Sequence, residues 1–557
     1  MRLLITICIF VLFLQGLMAL EKATLRPGEA LYLQRCAECH HPNRVGISAP
    51  PLLPEFLRKK SDEDLIKVTR DGLPATKMLA YPDLTEAQLK DLVTFMRSDP
   101  GEIKWTEDDI RNSLLPEPPP ATPPGNTSDL KNLTAVVERG TAQVWVMENE
   151  RVLDKFPFGN VHGGIKFTSD GKRLYVPSRD GWIGRYDMGK GYFGRVRPCV
   201  NLRNIALSHD NKHLVVASWL PRSLIILDAT TLQPVKTIPI DGKISAIYSL
   251  YSRKQAVFTL RDKPLFGVLN TTDFSLEWKE LEDPVEDFFI GPFEKTIVGT
   301  ARRGTVLTAY DLDTMKPVFS NPVKGFPHLF SSALWYHKGE FFFATCHINK
   351  TYISVWRMYD WKLVKQVDIG GKGYFVRTHP ATAFLWVDRG DDLVALVNKR
   401  DLTLKTMRPE PGGNVIHTEF SGDGQIAYIS LFDPAGALSL YDAATLRKID
   451  VLPANLPVGK YNFINKQRRF DPVKLGKEVF SARCWGCHHP TSMAFGPSLK
   501  SIAQKRTQAE IKAQILAPEH MSKQLGYKDN AMPTIPMGPE ELEAIVSFIE
   551  DAGHAED

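Results

Sequence analysis

A unit of two short strands joined by a polar turn occurs eight times along the chain, and this repetition limits the fold more than any other feature. The copies begin near residues 132, 171, 211, 254, 294, 339, 382 and 424, so they stand about 39 to 45 residues apart. GKRLYVPSRDGWIGRYD, EKTIVGTARRGTVLTAYD and GQIAYISLFDPAGALSLYD are typical, each closing its second strand on an aspartate. One four-stranded blade of a β-propeller needs about that length, whereas a long β-sandwich does not repeat so regularly. The repeat predicts an eight-bladed propeller over residues 131–465.

The flanks read differently. Residues 22–110 carry helical patterning, with LTEAQLKDLVTFMRS placing apolar residues at helical spacing behind a Thr85/Gln88 capping box. A proline-rich stretch, LLPEPPPATPPGNTS, lies within 111–130 and predicts an extended, semi-rigid spacer. From 470 to 557 the text is helical again and ends in PEELEAIVSFIEDA. The whole is a multidomain chain: an all-β propeller flanked by two all-α domains.

Each helical domain holds one CxxCH motif, CAECH at 36–40 and CWGCH at 484–488, with an aromatic four residues upstream (Tyr32 and Phe480). Two thiols three apart on one turn reach the two vinyl groups of a haem, and the adjacent histidine reaches the iron. A metal knuckle or a redox CxxC has no need of that histidine, least of all twice. The pattern predicts two covalent c-type haems, held by Cys36, Cys39 and His40 and by Cys484, Cys487 and His488. A methionine in the loop before each closing helix completes such a site. Met78 serves in the first domain, with Met96 read as core; Met532 or Met537 serves in the second, Met532 favoured for its Ala-Met-Pro setting. Met/His ligation raises the potential and suits electron transfer.

The first 19 residues have one arginine before an apolar run from Leu3 to about Leu14, and Ala19 closes a small-residue cleavage site. That is a secretory signal peptide and predicts a periplasmic protein. Of seven cysteines, Cys8 falls in this leader and four in the haem motifs, leaving Cys199 and Cys346 as buried small side chains. A net charge of +5, spread without basic blocks, gives no case for nucleic acid; a mild positive field can help an acidic redox partner dock.

Fourteen histidines need sorting. His41 and His489, beside the haem ligands, are read as facing solvent. The segments before the repeats (VHGGIKF, LRNIAL, KISAIYSL, VEDFFIG, HLFSSALW, GYFVRTH and NVIHTEF) are read as innermost strands. Their heads place His162, Arg203, Glu286, His328 and, one step in, His417 around the central channel. Imidazoles with an arginine and a carboxylate at a channel mouth form a candidate ligand site.

The stretches VHGGIKFTSDGKRLYVPSRDGWI, SWLPRSLIILD, GFPH, GYFVRTHPATAFLWVD, NVIHTEFSGDG and LPVGKYNFIN resemble the d1-haem propeller of the cytochrome cd1 nitrite reductase family. The resemblance implies that His162 is the proximal ligand of haem d1 and His328 a distal, catalytic histidine, with the iron between the two, and that Arg203 lies near the carboxylates. The nitrite reductases carry a second distal histidine where this chain has VEDFFIGPFEK, with Glu286 or Asp287 in that place. That departure is similar to the dihydro-haem d1 dehydrogenase branch, which oxidises a propionate of the d1 precursor to an acrylate. The resemblance then implies a non-covalently bound haem d1 or dihydro precursor, with His417 and Glu286 as candidate bases and electrons leaving through the c haems. Small periplasmic cytochromes, and a cd1 nitrite reductase receiving the product, are the implied partners. Nitrite reduction to nitric oxide, and a haem d1 carrier without turnover, stay open as alternatives at this point. The second c domain at the C-terminus is unusual for either branch.

Overall fold

The computed structural model describes residues 25–557, apart from 48, 74–77, 119–123, 251–252, 302–305, 338–339, 359, 468–471, 528–530, 538 and 555–557. The predicted leader therefore lies outside the described residues. The chain divides into two compact units, Met1–Thr106 and Glu107–Asp557.

The first unit is helical, with Glu29–Arg35, Ala37–His40, Asp62–Asp71 and Glu86–Arg97 as its main elements. The Thr85/Gln88 box is present in both directions and starts Glu86–Arg97. That helix buries Leu89, Leu92, Val93, Phe95 and Met96, the spacing of one apolar stripe. Tyr32 packs on Phe95 with ring centroids 5.1 Å apart. Gly28, left-handed at φ 79°, lets the first helix begin against the last: an added Cβ would sit 2.2 Å from the Asp91 carbonyl oxygen.

In the second unit eight sheets of four or five strands follow in chain order. The middle strands are wholly buried, as in Ile426–Leu431, and the outermost ones mostly exposed, as in Lys448–Pro453. Continuous apolar runs inside and polar runs outside are what a radial stack of sheets requires. Numbering blades by sequence, blade 1 holds Leu133–Glu138, Gln143–Glu148 and Arg151–Pro157, and its innermost strand comes from the other end of the propeller. Pro457–Asn462 pairs antiparallel with Leu133–Glu138, Tyr461 opposite Ala135 and Lys460 opposite Val136. This closure removes the open edges that a linear stack would leave. Blades 2 to 8 start at Lys166, Asn201, Ile244, Asp287, Phe326, Val376 and Val415. Five of those starts fall within the segments read from the sequence as innermost strands, while Asn201 and Phe326 lie one and two residues ahead of theirs. Part of the proline-rich stretch also joins the propeller: Leu115–Pro116 adds a fifth strand to the outer edge of blade 2. Glu148 then accepts the backbone N–H groups of Ser128 and Asp129, at 2.7 and 2.5 Å.

The C-terminal helices Pro472–Arg483, Leu499–Lys505, Gln508–Leu516 and Pro539–His554 pack on the outer ends of blades 5 and 6. One continuous core contains Phe289, Phe341 and Trp356 of those blades together with Leu475, Phe480 and Phe548 of the helices. The Tyr336 hydroxyl donates to Glu541 at 2.7 Å, and Lys295 pairs with Glu543 at 2.7 Å. Tyr336 lies near the end of the innermost strand of blade 6 and Lys295 follows that of blade 5, so this docking surface is at the opposite end from the strand heads.

Candidate active site and haem-binding residues

The two CxxCH motifs have the same local chemistry. Each motif histidine donates Nδ1–H to a proline carbonyl a short loop later, His40 to Pro50 at 2.8 Å and His488 to Pro497 at 2.7 Å. A ring so held keeps its lone pair on Nε2, the nitrogen suited to iron. Burial pushes the Cys36 and Cys484 thiols up to about 11, while Cys39 and Cys487 are exposed. These groups fit a haem. The proline partners were not foreseen; Gly-Ile-Ser-Ala-Pro and Phe-Gly-Pro after the motifs carry them.

Met78 is half-buried in the loop before Glu86–Arg97, and Met532 and Met537 both pack against the C-terminal core beside Cys484. Gln514 Nε2 lies 3.9 Å from the Met532 sulfur as a donor. His41 and His489 do not simply face solvent: both are half-buried, and their Nδ1 atoms accept backbone N–H groups of the following turn. Cys199 and Cys346 are fully buried.

At the strand heads of the propeller, one side of the channel is cationic. His162 receives Arg179 at Nε2, 2.9 Å away, and its Nδ1 faces the Arg203 carbonyl at 3.4 Å. Burial, then Arg179 and Arg203, push its pKa down to about 3, so the ring is neutral at ordinary pH. The lone pair of Nε2 thus already faces a positive group, as a metal ligand's would. Trp219 is ringed by Lys243, Arg261, Arg179 and Arg203, at 4.3, 4.7, 4.8 and 5.9 Å from the ring centroid. Four cations about one indole repel one another, at roughly 3 kcal/mol per pair for 6 Å and an effective dielectric near 20. An anionic ligand would relieve that, and Glu286 does so in part through a 3.1 Å bridge to Arg261. Arg203 sits in a break of register between Leu202 and Asn204, which turns its side chain out of the ladder.

The other side carries the remaining imidazoles. In blade 6 the innermost strand is interrupted between Phe326–Pro327 and Ala333–His337, and His328 stands at the break. Its Nδ1–H donates to the Tyr374 carbonyl at 2.6 Å. Burial lowers its pKa, so it too is neutral and its lone pair lies on Nε2. His417 occupies a bulge in Val415–Phe420, where register is lost between Ile416 and Glu419. Its backbone is left-handed at φ 53°, a conformation that costs a non-glycine residue about 1 kcal/mol or more. Phe375 lies between the two imidazoles, 5.6 Å from His328 and 4.7 Å from His417. His328 and His417 are thereby brought together. Glu286 instead belongs to the cationic group, tied to Arg261. Arg179, Trp219, Tyr374 and Phe375 went unread in the sequence, although GYFVRTH and SRDGW held three of them.

An eight-bladed propeller with neutral imidazoles and a guanidinium cluster at one mouth, joined to CxxCH domains, defines a haem-binding redox protein. Comparison with known proteins narrows this. Residues 128–466 match the cytochrome D1 heme domain, 23–96 the cbb3-type cytochrome C oxidase subunit III model and 473–553 the cytochrome c model. The chain is 35% identical to the dihydro-heme d1 dehydrogenase of Pseudomonas aeruginosa over 471 residues, covering 80% of this chain and 96% of that one. The nitrite reductase of Stutzerimonas stutzeri is 21% identical, covering 78% and 92%. A solved structure of dihydro-heme d1 dehydrogenase NirN in complex with DHE superposes with a TM-score of 0.75, covering 79% of this chain and 99% of that one at 35% identity. The chain belongs to the cytochrome D1 heme domain family, with a cytochrome c domain on each side of the propeller.

Proposed function

We propose that this protein oxidises a dihydro-haem d1 precursor to haem d1. The reaction is –CH2–CH2–COO⁻ → –CH=CH–COO⁻ + 2 H⁺ + 2 e⁻ on one side chain of the tetrapyrrole. The observation that carries this reading is the fate of the second distal position. By the family resemblance Glu286 or Asp287 falls in the chain where the second distal histidine would be; Glu286 is tied to Arg261, and neither side chain is an imidazole that could protonate an oxyanion. The 35% identity across nearly all of a dihydro-heme d1 dehydrogenase supports the same reading.

The residues divide the work. His162 holds the iron of the bound tetrapyrrole through Nε2, Arg179 giving way as it enters. Arg203 and its cationic neighbours hold the carboxylates, which keeps the reacting chain oriented. His328 and His417 take up the two protons as general bases, His328 through the lone pair on Nε2 while its Nδ1–H is given to the Tyr374 carbonyl. Glu286 holds Arg261 in place and is the weaker candidate for a base. Cys36, Cys39 and His40, and Cys484, Cys487 and His488, would hold two covalent c haems, which would supply one-electron acceptors. We further propose that the chain is exported by its leader and works in the periplasm. No helix among the described residues is long and apolar enough to cross a membrane. Small redox proteins take the electrons onward, and a cd1 nitrite reductase is the natural consumer of the product.

Anaerobic mixing of the full chain, c haems oxidised, with dihydro-haem d1 tests the proposal. The product spectrum should grow as the c haems become reduced, and nitrite should give negligible nitric oxide. His162→Ala should lose retention of the tetrapyrrole with both c spectra intact. Nitric oxide formation at several turnovers per second would hand the site to the reductase reading.

A further inference from the structure

His328 and His417 come from blades 6 and 8, and nothing local to either fixes one against the other. Blade 7 lies between them. Its second strand, Phe384–Asp388, ends on Asp388, which is 1% exposed and carries a carboxylate into the distal side of the channel. One oxygen, Oδ1, accepts the backbone N–H groups of Tyr374 and Phe375 at 2.7 and 2.9 Å. The other, Oδ2, accepts the backbone N–H of His417 at 3.2 Å.

Each of those bonds leads to an imidazole. Tyr374 gives its N–H to Asp388 and its carbonyl to His328 Nδ1–H, so the same peptide residue links the carboxylate to the first ring. Ser331 donates to the same carbonyl at 2.9 Å, which leaves it fully used. Phe375, held by the same oxygen, presents its ring edge-on to both histidines at an interplanar angle of 61° to each. His417 is held directly, within the left-handed bulge where the strand ladder is broken between Ile416 and Glu419. The bulge has a second brace: buried Lys460 donates to Ser430 at 2.7 Å and to the Ile416 carbonyl at 3.5 Å.

We infer that Asp388 is the positioning residue of the distal pocket, holding His328 and His417 at one fixed separation through three backbone N–H bonds and the Phe375 ring. The assignment rests on the dehydrogenase reading only for what the two histidines then do. An amide in place of the carboxylate cannot repeat the arrangement. Two oxygens accept three N–H groups, and an Asn side chain would turn an N–H donor toward one of them. In consequence one imidazole shifts while the other stays. Misplacement of a reacting group by about 1 Å costs on the order of 100-fold in rate.

The test is Asp388→Asn in the full chain, read in two ways. Without any tetrapyrrole, amide hydrogen exchange should quicken at His417 or at Tyr374 and Phe375, with blades 2 to 4 unchanged. With dihydro-haem d1 supplied, binding should stay within about threefold, because His162 and the cationic side are untouched. The conversion rate should fall about 100-fold at unchanged KM. Phe375→Leu, which removes no buried charge, should lower the same rate by at least tenfold, and it decides the matter if Asp388→Asn fails to fold. Unchanged exchange in the Asn variant, or quickened exchange with full conversion, overturns the inference. Failure of the parent protein to convert the substrate would sink the dehydrogenase reading, while the exchange data would still judge Asp388.

Discussion

The two cytochrome c domains are built on one local plan and differ in what surrounds it. In each, a glycine stands eight residues before the first cysteine and an aromatic four residues before it: Gly28 and Tyr32, Gly476 and Phe480. In each the glycine lies against the closing helix, Gly28 at the Asp91 carbonyl and Gly476 at that of Ala544, where an added Cβ would come within 2.2 and 2.0 Å. The first domain then completes itself. Arg44, 2% exposed, stacks on Phe95 at 4.5 Å and donates to the Phe95, Met96 and Ser98 carbonyls that end the closing helix. The second domain turns outward, sharing its core and a buried carboxylate with blades 5 and 6. Spacing along the chain sets a haem site; in the second domain the faces left over join it to the propeller.

The comparison can be broken most decisively at the motifs. Cys36→Ala/Cys39→Ala and Cys484→Ala/Cys487→Ala should each remove one of two haem additions from the mature mass, leaving the other spectrum intact. A variant that still carries two additions would show that its motif is not an attachment site.

Gly28→Ala and Gly476→Ala should come next, each costing roughly 3 kcal/mol by forcing a methyl into a helix backbone. Their reach should differ. Gly28→Ala should lower only the melting of the first unit, whereas Gly476→Ala should also quicken amide exchange at Phe341 and Tyr336 in blade 6. Equal confinement of both effects would mean that the docked core is not cooperative.

Glu541→Gln tests the docking itself. Its carboxylate takes Tyr336 and also Arg483, which lies next to Cys484 and donates to Pro536 in the methionine loop at 2.6 Å. Loss of the charge should cost about 2 kcal/mol and split the calorimetric transition of the second unit. Lys295→Ala should change stability by less than about 1 kcal/mol, because the pair is half-exposed and Lys512 also serves Glu543.

The propeller was legible because each blade repeats the same local problem, so eight imperfect copies reinforce one another. The innermost strands followed from their place before each copy; of the residues read at their heads, the structure groups His162, Arg203 and Glu286 with Arg179, Trp219 and Arg261, and links His328 to His417 through Phe375. The closure by Pro457–Asn462 was hidden, since a pairing across some 320 residues leaves no periodic trace. Its one signal was the first copy, which follows a proline-rich stretch and has no strand before it. The left-handed backbone of His417 and the break at His328 depend on pairing register, which composition does not carry. Nor could the sequence place Asp388 between two histidines of other blades, or put Arg179 on His162.

The docking of the C-terminal cytochrome has a kinetic meaning. An electron acceptor free in solution must be met by diffusion, and its rate of meeting falls as the protein is diluted. One held on the same chain works at an effective concentration in the millimolar range, whatever the dilution outside. In the proposed reaction two electrons leave a substrate, and a c haem at each CxxCH motif would take one. A chain that carries both acceptors can therefore finish a turnover as a single first-order event, before any outside partner arrives.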